Sequence, residues 1–242
     1  MTSNPLPAAD AATLTEVLAS ARCVMFDFDG PLAHLFAGLR ASDVADVLRS
    51  RLASWHAPSF ARPFTKPDDP HQVLLDVAKV YDSPEYSYRV AELDKLLTEQ
   101  EIAAAASAVP TQHSDSLVRR LAAMGKSVAV TTNNAAAAAA AYLESRGLLA
   151  LFDENVHGRS LDPRQLKPHP HCLVEAMLST RTRSAECVMI GDSPSDFEAA
   201  ATIGVAFLGY ARNERKRKAL EQAGARHIVS SMAAVIDAAA HG

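Results

Sequence analysis

Long apolar runs are missing from this chain. Although 48% of its 242 residues are hydrophobic, no uninterrupted stretch approaches the roughly 18 residues of a membrane span. Cysteine is scarce and odd in number: Cys23, Cys172 and Cys187 are all there is, with no C-x-x-C pair and no metal-ligand spacing. That excludes a disulfide framework and reads as small buried hydrophobes in a reducing compartment. A basic excess is also lacking, since 24 lysines and arginines face 28 acids for a formal net charge of -4. A protein built around nucleic-acid phosphates usually shows the opposite balance. The opening segment has no basic flank before an apolar run and carries Asp10 and Glu16, so the expectation is that it is not a secretory signal. The expectation is a soluble, cytoplasmic protein, monomer or homodimer, that binds neither nucleic acid nor membrane. Its length suits one or two domains with a sizeable core.

What is present is a regular alternation in the second half. SVAVTT (127–132) and CVMIGD (187–192) read as buried strands, with weaker ones near 154–157, in GVAFLGY and in HIVSS. Helical segments separate them, including AAAAAAAYLESR, HCLVEAMLST, DFEAAATIG and NERKRKALEQAG. Apolar strands alternating with helices predict a parallel sheet covered on both faces, an α/β core of Rossmann-like type. The alanine run 135–141 predicts a packed helix rather than a linker, because alanine is the best helix former and Tyr142 and Leu143 extend an apolar face. Residues 33–109 differ. They contain three helical periodicities, an irregular Pro-rich stretch HAPSFARPFTKPDDP, and no strand as clear as those above. Some eighty residues exceed any connecting loop of a compact domain, so they predict an inserted α-helical unit.

The stretch VMFDFDGPL (24–32) places Asp27 and Asp29 at strand spacing, on one side of the chain. Two such carboxylates in a desolvated place repel unless a positive charge sits with them. Parallel sheets bind ligands beyond the carboxyl ends of their strands. Reading only those ends collects Asp27, Asp29, Thr131, Thr132, Lys167 and Asp192. An all-oxygen carboxylate cluster suits Mg, a hard cation. One carboxylate then acts as a nucleophile while its neighbour handles protons, and Lys167 with a threonine hydroxyl holds an anionic group opposite.

DFDGPL, TTNN, LKPHP and GDSPSD resemble, in order, the four motifs of the haloacid dehalogenase superfamily. The resemblance is to its phosphoglycolate phosphatase-like and β-phosphoglucomutase-like members, which carry a helical cap after the first motif. It implies a Rossmann-like core from residues 1–32 and 110–242 and a cap from 33–109. It implies that Asp27 attacks phosphorus to give an aspartyl-phosphate and that Asp29 serves as general acid and then base. Mg would be held by Asp27, the backbone carbonyl of Asp29, and Asp192. Thr132, which directly precedes Asn133, matches the phosphate-binding hydroxyl, with Thr131 as the alternative. Asn133 and Lys167 complete the phosphate site, and Asp196 supports the metal or the lysine. The activity implied is Mg-dependent hydrolysis of a small phosphorylated metabolite. A phosphomutase of the β-phosphoglucomutase type is the alternative, and a phosphorylatable signalling domain a more distant one, since such domains have neither the Asp29-type acid nor a cap. The chain departs from phosphoglycolate phosphatase-like relatives after the first motif, where PLAHLFAGLR replaces a polar, often acidic turn.

Several residues also have plainer readings. Asn134 suits a helix N-cap, and Asp192 and Asp196 suit the start of the following helix. His169 and His171 read as surface residues, and Arg215–Lys218 as a solvated helix face. Arg62, Lys66 and His71, in or beside the Pro-rich loop, are the candidates for selecting the substrate.

Overall fold

The computed structural model describes residues 11–55, 64–81 and 87–240. Its centre is β1 (Cys23–Phe26), four residues buried on both faces. It is flanked by parallel β4 (Ser127–Thr131) and β6 (Cys187–Gly191), with Val24 opposite Val128 on one side and Val188 on the other. β5 (Val156–His157), β7 (Ala206–Tyr210) and β8 (Ile228–Val229) complete a six-stranded sheet in the order β5-β4-β1-β6-β7-β8. Every pairing is parallel. The Rossmann-like α/β architecture expected from the alternation is therefore present.

Period-two alternation sorts the strand residues into two cores. Val24, Phe26, Val128, Val130, Val188 and Ile190 share one cluster with α1 (Ala11–Ser20), α5 (Ser114–Ala123), α6 (Ala136–Ser145) and α11 (Met232–Ala240). Cys23, Met25, Ala129, Cys187 and Met189 face the other way, onto α8 (His171–Thr180) and α9 (Pro194–Thr202). The three cysteines are free and buried. Among the described residues, no helix is long and apolar enough to cross a membrane.

Residues 33–109 leave the sheet and return to it through a two-stranded antiparallel ribbon. In it β2 (Ala33–His34) pairs with β3 (Val109–Pro110), Ala33 lying opposite Pro110. The ribbon is too short to leave a periodic signal, and the sequence reading has no strand there. Beyond it α2 (Ala41–Ser54), α3 (Pro70–Val80) and α4 (Ser87–Ala105) enclose a second core of Val44, Leu48, Val73, Leu74, Val77, Leu93 and Leu97. Asp69 caps α3 by accepting from the His71 and Gln72 amides, and Pro70 stands in its first turn. α4 belongs to both cores: Leu93 and Leu97 pack among the inserted helices, whereas Ala104 and Ala105 pack in the main one.

The alanine run is a packed helix. Ala138 and Ala139 are fully buried and Ala137 is exposed, so small side chains are required on one face only. Ala139→Leu is expected to overpack this face and lower unfolding stability by about 1–3 kcal/mol. Ala137→Leu should stay within about 0.5 kcal/mol of the parent. Denaturant melts of the two variants check the contrast, and equal effects would contradict the packing.

Candidate active site

The carboxyl ends of β1, β4 and β6 open into a cleft of about 440 Å³ walled on its far side by α3. Asp27 follows β1, where its amide donates to the Ile190 carbonyl of β6. Lys167 reaches into the same place from the loop before α8, and all three of its ammonium protons are used. Nζ donates to Asp27 Oδ1 at 2.9 Å, to Asp196 Oδ1 at 2.5 Å and to the Thr131 carbonyl at 2.8 Å. Asp196 divides its oxygens. Oδ1 meets the lysine, while Oδ2 accepts from the amides of Asp192 and Ser193 and from the Ser193 hydroxyl. It thus joins the capping box of α9 and braces Lys167 at once.

A second lysine completes the answer to the charge question raised by Asp27 and Asp29. Lys216, in the first turn of α10 (Glu214–Ala223), places Nζ 2.8 Å from Asp192 Oδ2. This corrects the reading of Arg215–Lys218 as a solvated face: Lys216 lines the cleft and Arg217 is buried. The helix begins at the Asn213 cap just beyond β7, which is next to β6 and hence to Asp192. Order along the sheet carried that proximity, and a run of like charges gave no sign of it.

Burial dominates the electrostatics. It pushes Asp27 up to about 6, although Lys167 pulls the other way and Asp196 adds to the rise. It pushes Asp192 up to about 7, against the pull of Lys216 and with the push of Asp27 and Asp196. Asp29 is raised by burial too, offset by the Leu35 amide, which donates to its Oδ1 at 2.9 Å. Burial opposes the charge on Lys167, but Asp196 and Asp27 outweigh it and raise this lysine. Three carboxylates, Asp27, Asp192 and Asp196, share two ammonium groups in direct contact, and Asp29 stands beside them without one among the described residues. Among the described residues, Asp27, Asp192 and Asp196 offer ligand oxygens that lie within 4.8 Å of one another. His169 and His171 lie outside that group, at the start of α8.

The two threonines part company. Thr131 is the last residue of β4 and turns its hydroxyl to Met189 Sδ inside the sheet. Thr132 lies past the strand and lines the cleft, its hydroxyl donating to Asn134 Oδ1 and accepting from the Asn134 amide, both at 3.1 Å. Asn133 also lines the cleft, and its side chain grips the Lys167 backbone, Oδ1 accepting from the amide at 2.7 Å and Nδ2 donating to the carbonyl. Asn134 is not the N-cap of α6. Ala135 stands there without a side-chain cap, and the Ala135 amide donates to Glu101 of α4 instead. Lys66, His71, His34 and Arg212 also line the cleft, Arg212 Nη1 lying 3.1 Å from His34 Nδ1; Arg62 falls outside the described residues. Glu101 and its partner Arg159, both fully or almost fully buried, carried no signal in the sequence.

Gly30 makes the close approach of β1 and Asp192 possible. Its φ is +132°, and a Cβ on it would stand 2.4 Å from Asp192 Oδ2. Gly30→Ala is therefore expected to displace that carboxylate from Lys216 and to cost on the order of 2 kcal/mol. Chemical denaturation with a crystal structure of the variant checks this, and wild-type stability with Asp192 unmoved would contradict it.

A family model described as haloacid dehalogenase-like hydrolase matches residues 74–210, more than half of the chain. The match begins after Asp27 and Asp29, so the fold rather than the match brings that pair to the other motifs. A comparison with curated protein sequences finds no match. Among solved structures, a predicted phosphatase from Clostridium acetobutylicum superimposes with a TM-score of 0.65 at 18% identity, over 92% of this chain and 99% of that one. A predicted phosphoglycolate phosphatase from Haemophilus somnus 129pt gives 0.61 at 18% identity, over 90% and 97%. A HAD family hydrolase from Deinococcus radiodurans R1, with bound phosphate and sodium, gives 0.57 at 22% identity, over 91% and 97%. At these identities the likeness is one of fold.

Proposed function

Because the chain belongs to the haloacid dehalogenase-like hydrolase family, we propose that it is a Mg-dependent phosphatase that hydrolyses a small phosphomonoester through an aspartyl-phosphate on Asp27. The observation that carries this reading is the buried Asp27–Lys167–Asp196 bridge at the floor of a polar cleft, with a second acid, Asp29, two residues from the nucleophile. The presence of phosphate on the Deinococcus radiodurans relative and the names of the other two point the same way.

The donor set fits Mg: every candidate ligand is an oxygen, and three clustered carboxylates share only two ammonium groups. Asp27, the Asp29 carbonyl and Asp192 would hold it, with Asp196 bracing from behind. When bound, Mg would cancel the repulsion between the attacking carboxylate and the phosphate. The chain's own residues do the rest. An Asp27 oxygen attacks phosphorus, and the ester P–O bond breaks as Asp29 gives its proton to the leaving alkoxide. Asp29 then takes a proton from water, whose oxygen attacks phosphorus, freeing Asp27 and releasing inorganic phosphate. A carboxyl raised by burial is suited to the first of these tasks. On binding, Lys167 exchanges its Asp27 bond, and the Thr132 hydroxyl its Asn134 Oδ1 bond, for a phosphoryl oxygen, while Asn133 keeps Lys167 in register. Residues 33–109 serve as the cap that covers the leaving-group side, with Lys66 and His71 facing the substrate. Three buried thiols suit a reducing cytoplasm.

Asp27→Asn should bind phosphate and Mg but lose roughly three orders of magnitude or more in kcat. Phosphate release from a panel of phosphorylated metabolites measures this. Wild-type turnover by a deamidation-free preparation would refute the covalent route, and conversion of a sugar phosphate to its isomer without phosphate release would favour a mutase.

A second prediction concerns pH. Asp192 and Asp27 are raised to about 7 and about 6. Their protonated forms therefore favour the folded state at low pH, and that stability is lost as pH rises through these values. Mg binds the ionised form, so its stabilising effect should grow from pH 5.5 to pH 8. Thermal melts with chelator or Mg across this range test it. An equal Mg-induced shift at both ends, or none, would contradict it.

A further inference from the structure

The mechanism above leaves one fully buried carboxylate without a task. Glu101 lies on α4, within the inserted segment, and 0% of it is exposed. All of its acceptor capacity is used. Oε1 accepts from His71 Nε2 and from Asn134 Nδ2, each at 2.8 Å. Oε2 accepts from the Ala135 amide at 2.9 Å and from Arg159 Nη1 at 2.6 Å. Arg159, from the loop after β5, also bonds Asp94 and Thr98 of α4. Burial pushes Glu101 upward, but His71 and Arg159 outweigh it and hold the carboxyl down at about 2, so it stays ionised.

Hydrogen-bond polarity then propagates outward. A carboxylate only accepts, so the Asn134 amide must turn Nδ2 toward Glu101 and Oδ1 toward Thr132. The Thr132 hydroxyl donates to that Oδ1 and accepts from the Asn134 amide. The position of Thr132 is thus fixed from the inserted helix, through Asn134. The same carboxylate holds Nε2 of His71. Asp69 Oδ1 is 3.9 Å from the other ring nitrogen, beyond hydrogen-bond reach, and His71 lines the cleft. A pair needed only for adhesion could be replaced by packed apolar side chains. An acceptor with four separate donors instead sets orientation.

We propose that Glu101 is a positioning residue: it sets the Thr132–Asn134 turn that receives the phosphoryl group and orients His71 toward the leaving group. The proposal rests on the phosphatase reading. It makes α4 support the phosphate site although no residue of that helix lines the cleft.

Two variants of the full-length protein separate this from a structural role. Glu101→Gln and Arg159→Met both remove the Glu101–Arg159 ion pair, but only the first puts a donor against Asn134, Ala135 or His71. Both should lose thermal stability. Glu101→Gln should weaken inorganic phosphate binding, measured calorimetrically with Mg present, by about 10- to 100-fold. Arg159→Met should stay within about threefold, as its partner still holds the turn. Equal losses in the two variants, or none in Glu101→Gln, would overturn the proposal. If Glu101→Gln does not fold, the double variant Glu101→Met/Arg159→Met takes its place: weak phosphate binding by a folded protein supports the proposal, and wild-type affinity overturns it. If the wild type neither binds phosphate nor cleaves phosphomonoesters, the phosphatase reading fails. The positioning claim is then decided by hydrogen exchange at the Asn134 and Ala135 amides, which should speed up in Glu101→Gln far more than in Arg159→Met.

Discussion

The contact on which the rest depends is the ammonium group of Lys167 held between Asp27 and Asp196. Carboxylates gathered at the ends of buried strands repel one another and resist ionisation, and a cation must be fixed among them before they are useful. The fold supplies that cation by several devices. Asn133 grips the Lys167 backbone from the turn after β4, the Thr131 carbonyl takes the third proton, and the α9 capping box orients Asp196. Lys216 does for Asp192 what Lys167 does for Asp27. Three clustered carboxylates sharing two ammonium groups are the physical basis for expecting a divalent cation.

A comparable arrangement recurs where the inserted helices meet the sheet. Glu101 and Arg159 form a buried ion pair whose other bonds reach His71, Asn134, Asp94 and Thr98. Its position matters more than its strength. It joins α4, which also contributes Ala104 and Ala105 to the main core, to the turn beside the floor of the cleft. The insertion is therefore joined to the turn after β4 by directed hydrogen bonds as well as by the ribbon at its base.

Much of this was legible in the chain and some was not, for identifiable reasons. The strands of the parallel sheet were readable because both faces are buried and each becomes an apolar run. The strand-end residues followed from the rule that places ligands there. Period two separates Thr131, whose hydroxyl meets Met189, from Thr132 in the cleft, but the residue at which β4 ends had to be known first. The β2–β3 ribbon is too short to show a period. α5 has Leu117, Val118 and Leu121 buried on one face, a helical spacing present in the chain but absent from the sequence reading. Asn134 looked like a cap because its type fits one, yet tertiary partners claimed its amide. Lys216, Glu101 and Arg159 were invisible for a different reason: each acts across 24 to 58 residues of sequence, and only the folded chain shows what lies opposite.

The central claim is that Asp27 carries the phosphoryl group during turnover. Rapid acid quenching of the enzyme with its best phosphomonoester, followed by digestion and mass spectrometry, tests it directly. The peptide containing Asp27 should gain the mass of one phosphoryl group in a linkage cleaved by hydroxylamine. Phosphate release with no such adduct under single-turnover conditions, or with the adduct on another residue, would contradict the account.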